Sequence, residues 1–269
     1  MMKIGVQLYS VRDEMEKDFE GTLREVAAMG YEGVEFAGLF GKSAAEVKAL
    51  CETYGLVPIS AHVSLYDMLD DPYVLETYAA IGCKYVAIPW LGEAERPGHP
   101  GFEKMVGDAA ILGAFARKNG MRLAYHNHDF EFEKIDGKYL LDVIYEALPA
   151  DLLLAQLDTC WVNVGGADPV AYIRKYAGRV DIIHLKDFAG RKSENMYALI
   201  GVNGGSKEDT VGDFEYRPLG QGLQDVPAIL KAAEESGTEW GIVEIDEPSK
   251  GKTSMQCIRE SIDYLKTVM

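Results

Sequence analysis

The sequence predicts a single α/β domain over residues 1–269, folded as a closed (β/α)8 TIM barrel. Three observations carry this. Strand-like apolar runs alternate with helical periodicities along the whole chain, in eight units. A chain of 269 residues is long for an ordinary domain but normal for an α/β barrel, and no composition break or linker divides it. Many of the runs are apolar throughout, as expected of a parallel sheet covered by helices. An open doubly wound sheet would usually carry a glycine-rich dinucleotide loop after its first strand. Here that strand runs into Gln7-Leu-Tyr-Ser-Val-Arg12, which has no such loop.

The first strand is read at residues 3–9, followed by a helix from Asp18 to Met29 with Phe19, Leu23, Val26 and Ala27 at helical spacing and Gly30 as its stop. Strand two is Gly33–Ala37. The next helix opens on Ser43 with Glu46 in capping-box spacing and ends at Gly55. Strand three is Leu56–His62, then a helix from Asp71-Pro72 to Gly82, then strand four, Lys84–Pro89. A loop rich in proline and glycine leads to a helix over Phe102–Asn119. Strand five opens the stretch Arg122–Phe132, and a helix at Leu140–Leu148 follows. Strand six is Leu152–Asp158, and Asp168-Pro169 opens the next helix with proline at its first position. Strand seven is Val180–Lys186. A glycine-rich loop over 188–222 contains Arg217, a helix spans Val226–Ser236, strand eight is Trp240–Asp246, and the last helix runs from Thr253 to Val268.

Composition narrows the function classes. A formal net charge of −16 opposes nucleic-acid binding, which needs a basic footprint. No apolar run reaches the roughly 18 residues of a membrane span, and the first residues read as a strand rather than a signal peptide. The expectation is a cytoplasmic protein with no membrane partner. Its four cysteines form no Cys-x-x-Cys pair and are read as reduced packing residues.

The functional signal is where the reactive side chains fall. Barrel active sites lie at the C-terminal ends of the strands. Glu35 is near the end of strand two and His62 ends strand three. His126 and His128 end strand five with Glu131 just beyond, and Asp158 ends strand six. His184 and Lys186 end strand seven, and Glu244 and Asp246 end strand eight. Four of the five histidines thus sit at one face of the barrel. Strand alternation gives His184 and Lys186, Glu244 and Asp246, and Gln156 and Asp158 a common face within each strand. If those faces point inward, Asp158, His184 and Glu244 converge. A carboxylate from strand five, with Glu131 the first choice, would complete a set of three oxygens and one nitrogen, and His128 is the substitute. Such a set suits Mn²⁺ or Mg²⁺, with Co²⁺ or Zn²⁺ as alternatives. Glu244 in an apolar strand needs a partner for its charge, and a cation is the natural one. Bland readings stand beside these: Asp158 as a turn cap, His184 as a satisfied core histidine, Lys186 paired with Asp187, Arg217 on the surface.

Four stretches, Tyr125-His-Asn-His-Asp-Phe-Glu-Phe132, Leu157-Asp-Thr159 with Trp161, Ile183-His-Leu-Lys-Asp187 and Ile242-Val-Glu-Ile-Asp246, resemble the sugar phosphate isomerase/epimerase family of xylose isomerase-like barrels. The resemblance covers nearly the whole chain. It implies a divalent metal held by Glu131, Asp158, His184 and Glu244. The chain departs from the epimerases inside strand five, where they carry a glutamate and this chain has Tyr125 and His126. His126 or His128 is then the alternative ligand. The His-Asn-His arrangement is closer to inosose dehydratase-like and keto-glycoside-processing members.

The implied chemistry is proton abstraction beside the carbonyl of a keto-sugar or polyol. His128 or Glu244 would be the base and Lys186 or His126 the acid. Proton return gives isomerisation or epimerisation, and loss of a β-substituent gives dehydration or lyase chemistry. Glu35, His62, Trp90 and Arg217 are candidate substrate contacts, and Tyr9, Phe36, Trp90 and Trp161 could stack on a sugar. The alternatives are a non-catalytic sugar-binding barrel and, disfavoured by the charge, a DNA-repair nuclease. The family is compatible with a homodimer.

Overall fold

In the computed structural model, which describes residues 2–191 and 213–269, the apolar runs form one eight-stranded parallel sheet. Its strands are β1 (Lys3–Gln7), β2 (Gly33–Phe36), β3 (Val57–Ala61), β4 (Tyr85–Ile88), β5 (Arg122–His126), β6 (Leu154–Asp158), β7 (Ile182–Leu185) and β8 (Trp240–Val243). Their order is β3-β2-β1-β8-β7-β6-β5-β4, and a parallel bridge between His62 and Ala87 brings the two end strands together. The chain is therefore a nearly closed (β/α)8 barrel, as its sequence predicts. No helix among the described residues is long and apolar enough to cross a membrane.

The alternation of strand side chains divides the core in two. Outward residues such as Val6, Val34, Val86, Leu123 and Ile183 pack under the helices. Inward residues Ile59, Tyr85, Ala124, Leu154, Ile182 and Ile242 form a separate apolar plug inside the barrel. Gly5 and Gly33 make room for that plug. A Cβ on Gly5 would lie 2.3 Å from Ile59 Cδ1, and one on Gly33 would lie 2.6 Å from the Val57 carbonyl oxygen. Above the plug, the next inward positions are Gln7, Glu35, His126, Gln156, His184 and Glu244. Register ties this polar layer together: Gln7 pairs with Glu35, Glu35 with Ser60, His126 with Gln156, and His184 with Asp158.

Helix signals in the sequence act as read. Ser43 and Glu46 form a capping box, Asp168 caps a helix with Pro169 in its first turn, and Gly30, Gly55 and Gly82 end helices in the left-handed conformation. Three differences concern the strand ends. β1 stops at Gln7 because a 3-10 turn, Leu8–Val11, follows directly. β7 and β8 end at Leu185 and Val243, so Lys186, Glu244 and Asp246 lie just past the ladder. Short helices at Leu65–Asp70 and Thr159–Val164 went unread because each is only six residues long. The loop read over 188–222 contains, within its described part, an antiparallel pair of Asp187–Ala189 with Glu215–Arg217. Residues 192–212 of that loop lie outside the described residues.

Candidate active site

The polar layer opens into a cavity of about 210 Å³ at the C-terminal mouth, lined by Tyr9, Ala37, His62, Pro89, Trp90, His126, His128, Lys186, Glu244 and Asp246. That is below the roughly 300–1,000 Å³ of sites for drug-sized ligands, and so suits a small molecule.

At and beneath its wall, His126, Asp158, His184 and Glu244 each offer a donor atom, all within 4.8 Å of one another, and His126 and Glu244 line the cavity itself. All four residues are buried. His184 bridges two carboxylates, with Nδ1 2.8 Å from Glu244 Oε2 and Nε2 2.6 Å from Glu35 Oε1. Burial works against a charged imidazole here, but Glu244 and Glu35 outweigh it and push the pKa up to about 10. Asp158 divides its oxygens. Oδ1 accepts from the Trp161 N–H at 3.0 Å and so caps the Thr159–Val164 helix, while Oδ2 lies 3.3 Å from Lys186 Nζ and 3.8 Å from His126 Nε2. It is thus both the turn cap of the bland reading and a member of the cluster. The four residues fit a divalent cation: two carboxylates and two imidazoles converge, and the buried His126 Nδ1 has no hydrogen-bond partner among the described residues.

Lys186 stands over the cluster, almost wholly buried. Its ammonium is 2.7 Å from Asp246, 3.0 Å from Glu244 and 3.3 Å from Asp158, between the rings of Trp161 and Tyr216. Burial alone would lower its pKa; the three carboxylates hold it well above the usual lysine value. A lysine held this firmly in its charged form is a poor proton donor and a strong electrostatic stabiliser. It does not pair with Asp187. Alternation turns that carboxylate away from the cavity, where it accepts backbone N–H bonds from Phe188, Gly220, Gly222 and Gln224.

Three residues expected at the substrate or the metal, Glu35, Glu131 and Arg217, lie elsewhere. Glu35 is fully buried beneath His184 rather than on the cavity wall. It accepts from Gln7 Nε2 at 2.7 Å, Gln156 Nε2 at 2.6 Å and the Ser60 hydroxyl, with His62 Nε2 at 3.1 Å. Burial would raise its pKa, but the imidazoles of His62 and His184 outweigh it and hold the carboxyl well below the usual range. Glu131 accepts from the Tyr125 hydroxyl and, at 2.7 Å, from the His128 N–H, and is not a member of the four-donor group. Its side chain turns back against strand five, and His126 is the strand-five member of the four-donor group. Arg217 pairs with Glu215 at 3.0 Å and does not line the cavity. Phe36 and Trp161 are wholly buried, which leaves Tyr9 and Trp90 as the aromatic groups at the cavity.

His128 lines the cavity between Phe130 and Trp161, and its buried Nδ1 has no hydrogen-bond partner among the described residues. Burial, reinforced by Lys186, lowers its pKa to about 3, so the ring is neutral. Asp246, Gln7, Ser60 and Gln156 complete the site, and of these only Asp246 stood out in the sequence. The three hydroxyl and amide residues have no chemistry-bearing signature, and only their register beside Glu35 reveals them.

Glu131 carries a testable pH dependence. Burial raises its pKa to about 8 against the hydrogen bonds from Tyr125 and His128. An unfolded glutamate ionises near 4.5. Between those values the folded state holds a proton that the unfolded state has lost. This contribution is therefore complete below about 4.5 and is lost as pH rises through about 8. Glu131→Gln keeps a neutral group there, because the Tyr125 hydroxyl can turn from donor to acceptor. Unfolding free energies from urea titrations between pH 5 and 8 should fall less in this variant than in the parent, by up to about 1.4 kcal/mol per pH unit. Equal slopes would contradict the assignment.

The chain matches the xylose isomerase-like TIM-barrel family over residues 23–268. It belongs to that family. Among curated proteins it is 24% identical to an inosose dehydratase from Clostridium beijerinckii, with 93% of this chain and 90% of that protein covered. Among solved structures it is similar to a sugar phosphate isomerase/epimerase from Parabacteroides distasonis, with a TM-score of 0.78, 21% identity and coverage of 98% and 93%. An L-ribulose 3-epimerase aligns with a TM-score of 0.71 at 16% identity, covering 99% and 94%. At those identities the structures share the fold; the members named here are enzymes.

Proposed function

We propose that the chain is an enzyme that removes the proton beside a carbonyl in a small keto-sugar or keto-polyol. The observation that supports this most is the convergence of His126, Asp158, His184 and Glu244 at the C-terminal mouth, with His126 and Glu244 lining the cavity. A divalent cation held by these four would supply Lewis-acid stabilisation of the negative charge that develops on the carbonyl oxygen. Lys186 adds a fixed positive charge at the same wall, already oriented by three carboxylates and costing no reorganisation. His128 is assigned as the base on position: its ring lines the cavity between Phe130 and Trp161. Tyr9 and Trp90 shape the cavity around a sugar-sized ring.

One feature favours β-elimination over epimerisation as the outcome. Where the epimerases carry a strand-five glutamate, this chain places His126. Epimerisation needs an acid–base group on each face of the substrate, whereas elimination needs a base on one face and a leaving group. The names of the curated relatives point the same way.

The test is proton exchange. Incubated with keto-inositols or ketohexoses in deuterium oxide, the cation-loaded protein should wash deuterium into the carbon beside the carbonyl, read by NMR, or lose water to give an enone. His128→Ala should slow the exchange about 10²–10⁴-fold without releasing the cation. Exchange that is indifferent to His128 would remove it as the base, and exchange on none of these substrates would count against the reading.

A further inference from the structure

We infer that the site selects a nitrogen-preferring transition ion, Zn²⁺ or Co²⁺, rather than the Mg²⁺ or Mn²⁺ that a carboxylate-rich set would take. This rests on the cation reading above and concerns its chemistry. The four-donor group contains two imidazoles, His126 and His184, and two carboxylates, Asp158 and Glu244. Three further features act in the same direction.

The first is the strand-five donor. Glu131 is turned away and engaged by Tyr125 and His128, so His126 takes its place and brings nitrogen in exchange for oxygen and negative charge. Imidazole suits Zn²⁺ and its neighbours, whereas Mg²⁺ takes oxygen ligands and keeps much of its water.

The second is the orientation of His184. Glu35 lies 2.6 Å from Nε2 on the side away from the cluster, and Nδ1 faces Glu244. A buried carboxylate receiving one imidazole N–H fixes the tautomer, aims the other nitrogen at the ion and raises its basicity. Glu35 is itself held by hydrogen bonds from Gln7, Gln156 and Ser60, so it is a positioning residue for His184.

The third is Lys186. Its ammonium is within 3.3 Å of both Asp158 and Glu244, so it cancels part of the negative charge that an incoming cation meets. An ion bound mainly by charge to carboxylates loses most from that competition. An ion that gains two nitrogen ligands loses proportionately less.

The experiment uses the full chain, stripped with a chelator and dialysed against equimolar Mg²⁺, Mn²⁺, Co²⁺ and Zn²⁺. Metal per chain is then measured for the parent and for His126→Glu, which restores a third carboxylate. Because Zn²⁺ outcompetes Mn²⁺ at most nitrogen–oxygen sites, the change in ratio is the readout. The Zn²⁺-over-Mn²⁺ preference should drop at least about tenfold in the variant. A direct measurement covers a variant that does not fold: X-ray absorption fine structure of the zinc-loaded parent should show two imidazoles per ion. One imidazole, or an unchanged ratio in a folded His126→Glu, would overturn the inference while leaving the cation site standing. Binding of none of the four ions would overturn both.

Discussion

Glu244→Gln should lower the affinity for a divalent cation by at least about a hundredfold and the rate of proton abstraction by about 10²–10⁴, with the fold intact. The substitution keeps the shape of the side chain and removes its charge. Glu244 Oε2 faces both His184 Nδ1, at 2.8 Å, and Lys186 Nζ, at 3.0 Å, and its carboxyl is held well below the usual range: burial would raise it, but Lys186 and His184 outweigh that. Without the charge, one of the two carboxylates of the donor set is gone. The barrel should survive because Lys186 retains Asp246 at 2.7 Å and Asp158 at 3.3 Å. Calorimetric titration gives the affinity, and the urea midpoint checks the fold. A variant that binds the cation like the parent would remove Glu244 from the donor set.

Glu35 is expected to give the largest stability effect of any residue near the site. Replacing it with leucine leaves the buried Gln7 and Gln156 amides, the Ser60 hydroxyl and His184 Nε2 without their shared acceptor, while His62 Nε2 keeps Gln156 Oε1 at 2.8 Å. Breaking a buried charged network by removing one partner costs about 3–5 kcal/mol. Glu35→Gln keeps one acceptor oxygen but presents donors to donors, so an intermediate loss is expected. Its cation affinity should fall about 10–100-fold, because His184 loses the carboxylate that orients it. Denaturation midpoints and titrations of both variants read the two effects separately. A Glu35→Leu protein as stable as the parent would mean that the network does not hold the layer together.

The barrel was legible in the chain because its signals are periodic and repeated. The apolar runs at Ile182–Leu185 and Trp240–Val243 are strands whatever surrounds them, and glycines such as Gly55 and Gly82 end helices through their left-handed geometry. Alternation also brought out the convergence of Asp158, His184 and Glu244, because period-two spacing decides which side chains share the barrel interior. It could not decide Glu131 against His126. Glu131 lies beyond the ladder in a 3-10 turn, where direction depends on the Tyr125 and His128 partners and not on a repeat. His126 is the last residue of its strand, and its inward direction follows from its pairing with Gln156. Glu35 failed for a related reason. A glutamate at a strand end reads as a cavity contact until register with Gln7 and Ser60 shows it closed over by amides and a hydroxyl.

The central claim is that one divalent cation sits among His126, Asp158, His184 and Glu244. The most direct measurement is the metal content of protein purified without a metal-affinity tag, beside Glu244→Gln. One ion per chain in the parent, lost in the variant, is the expected result. No ion in either protein after incubation with excess Zn²⁺, Co²⁺, Mn²⁺ and Mg²⁺ would contradict it.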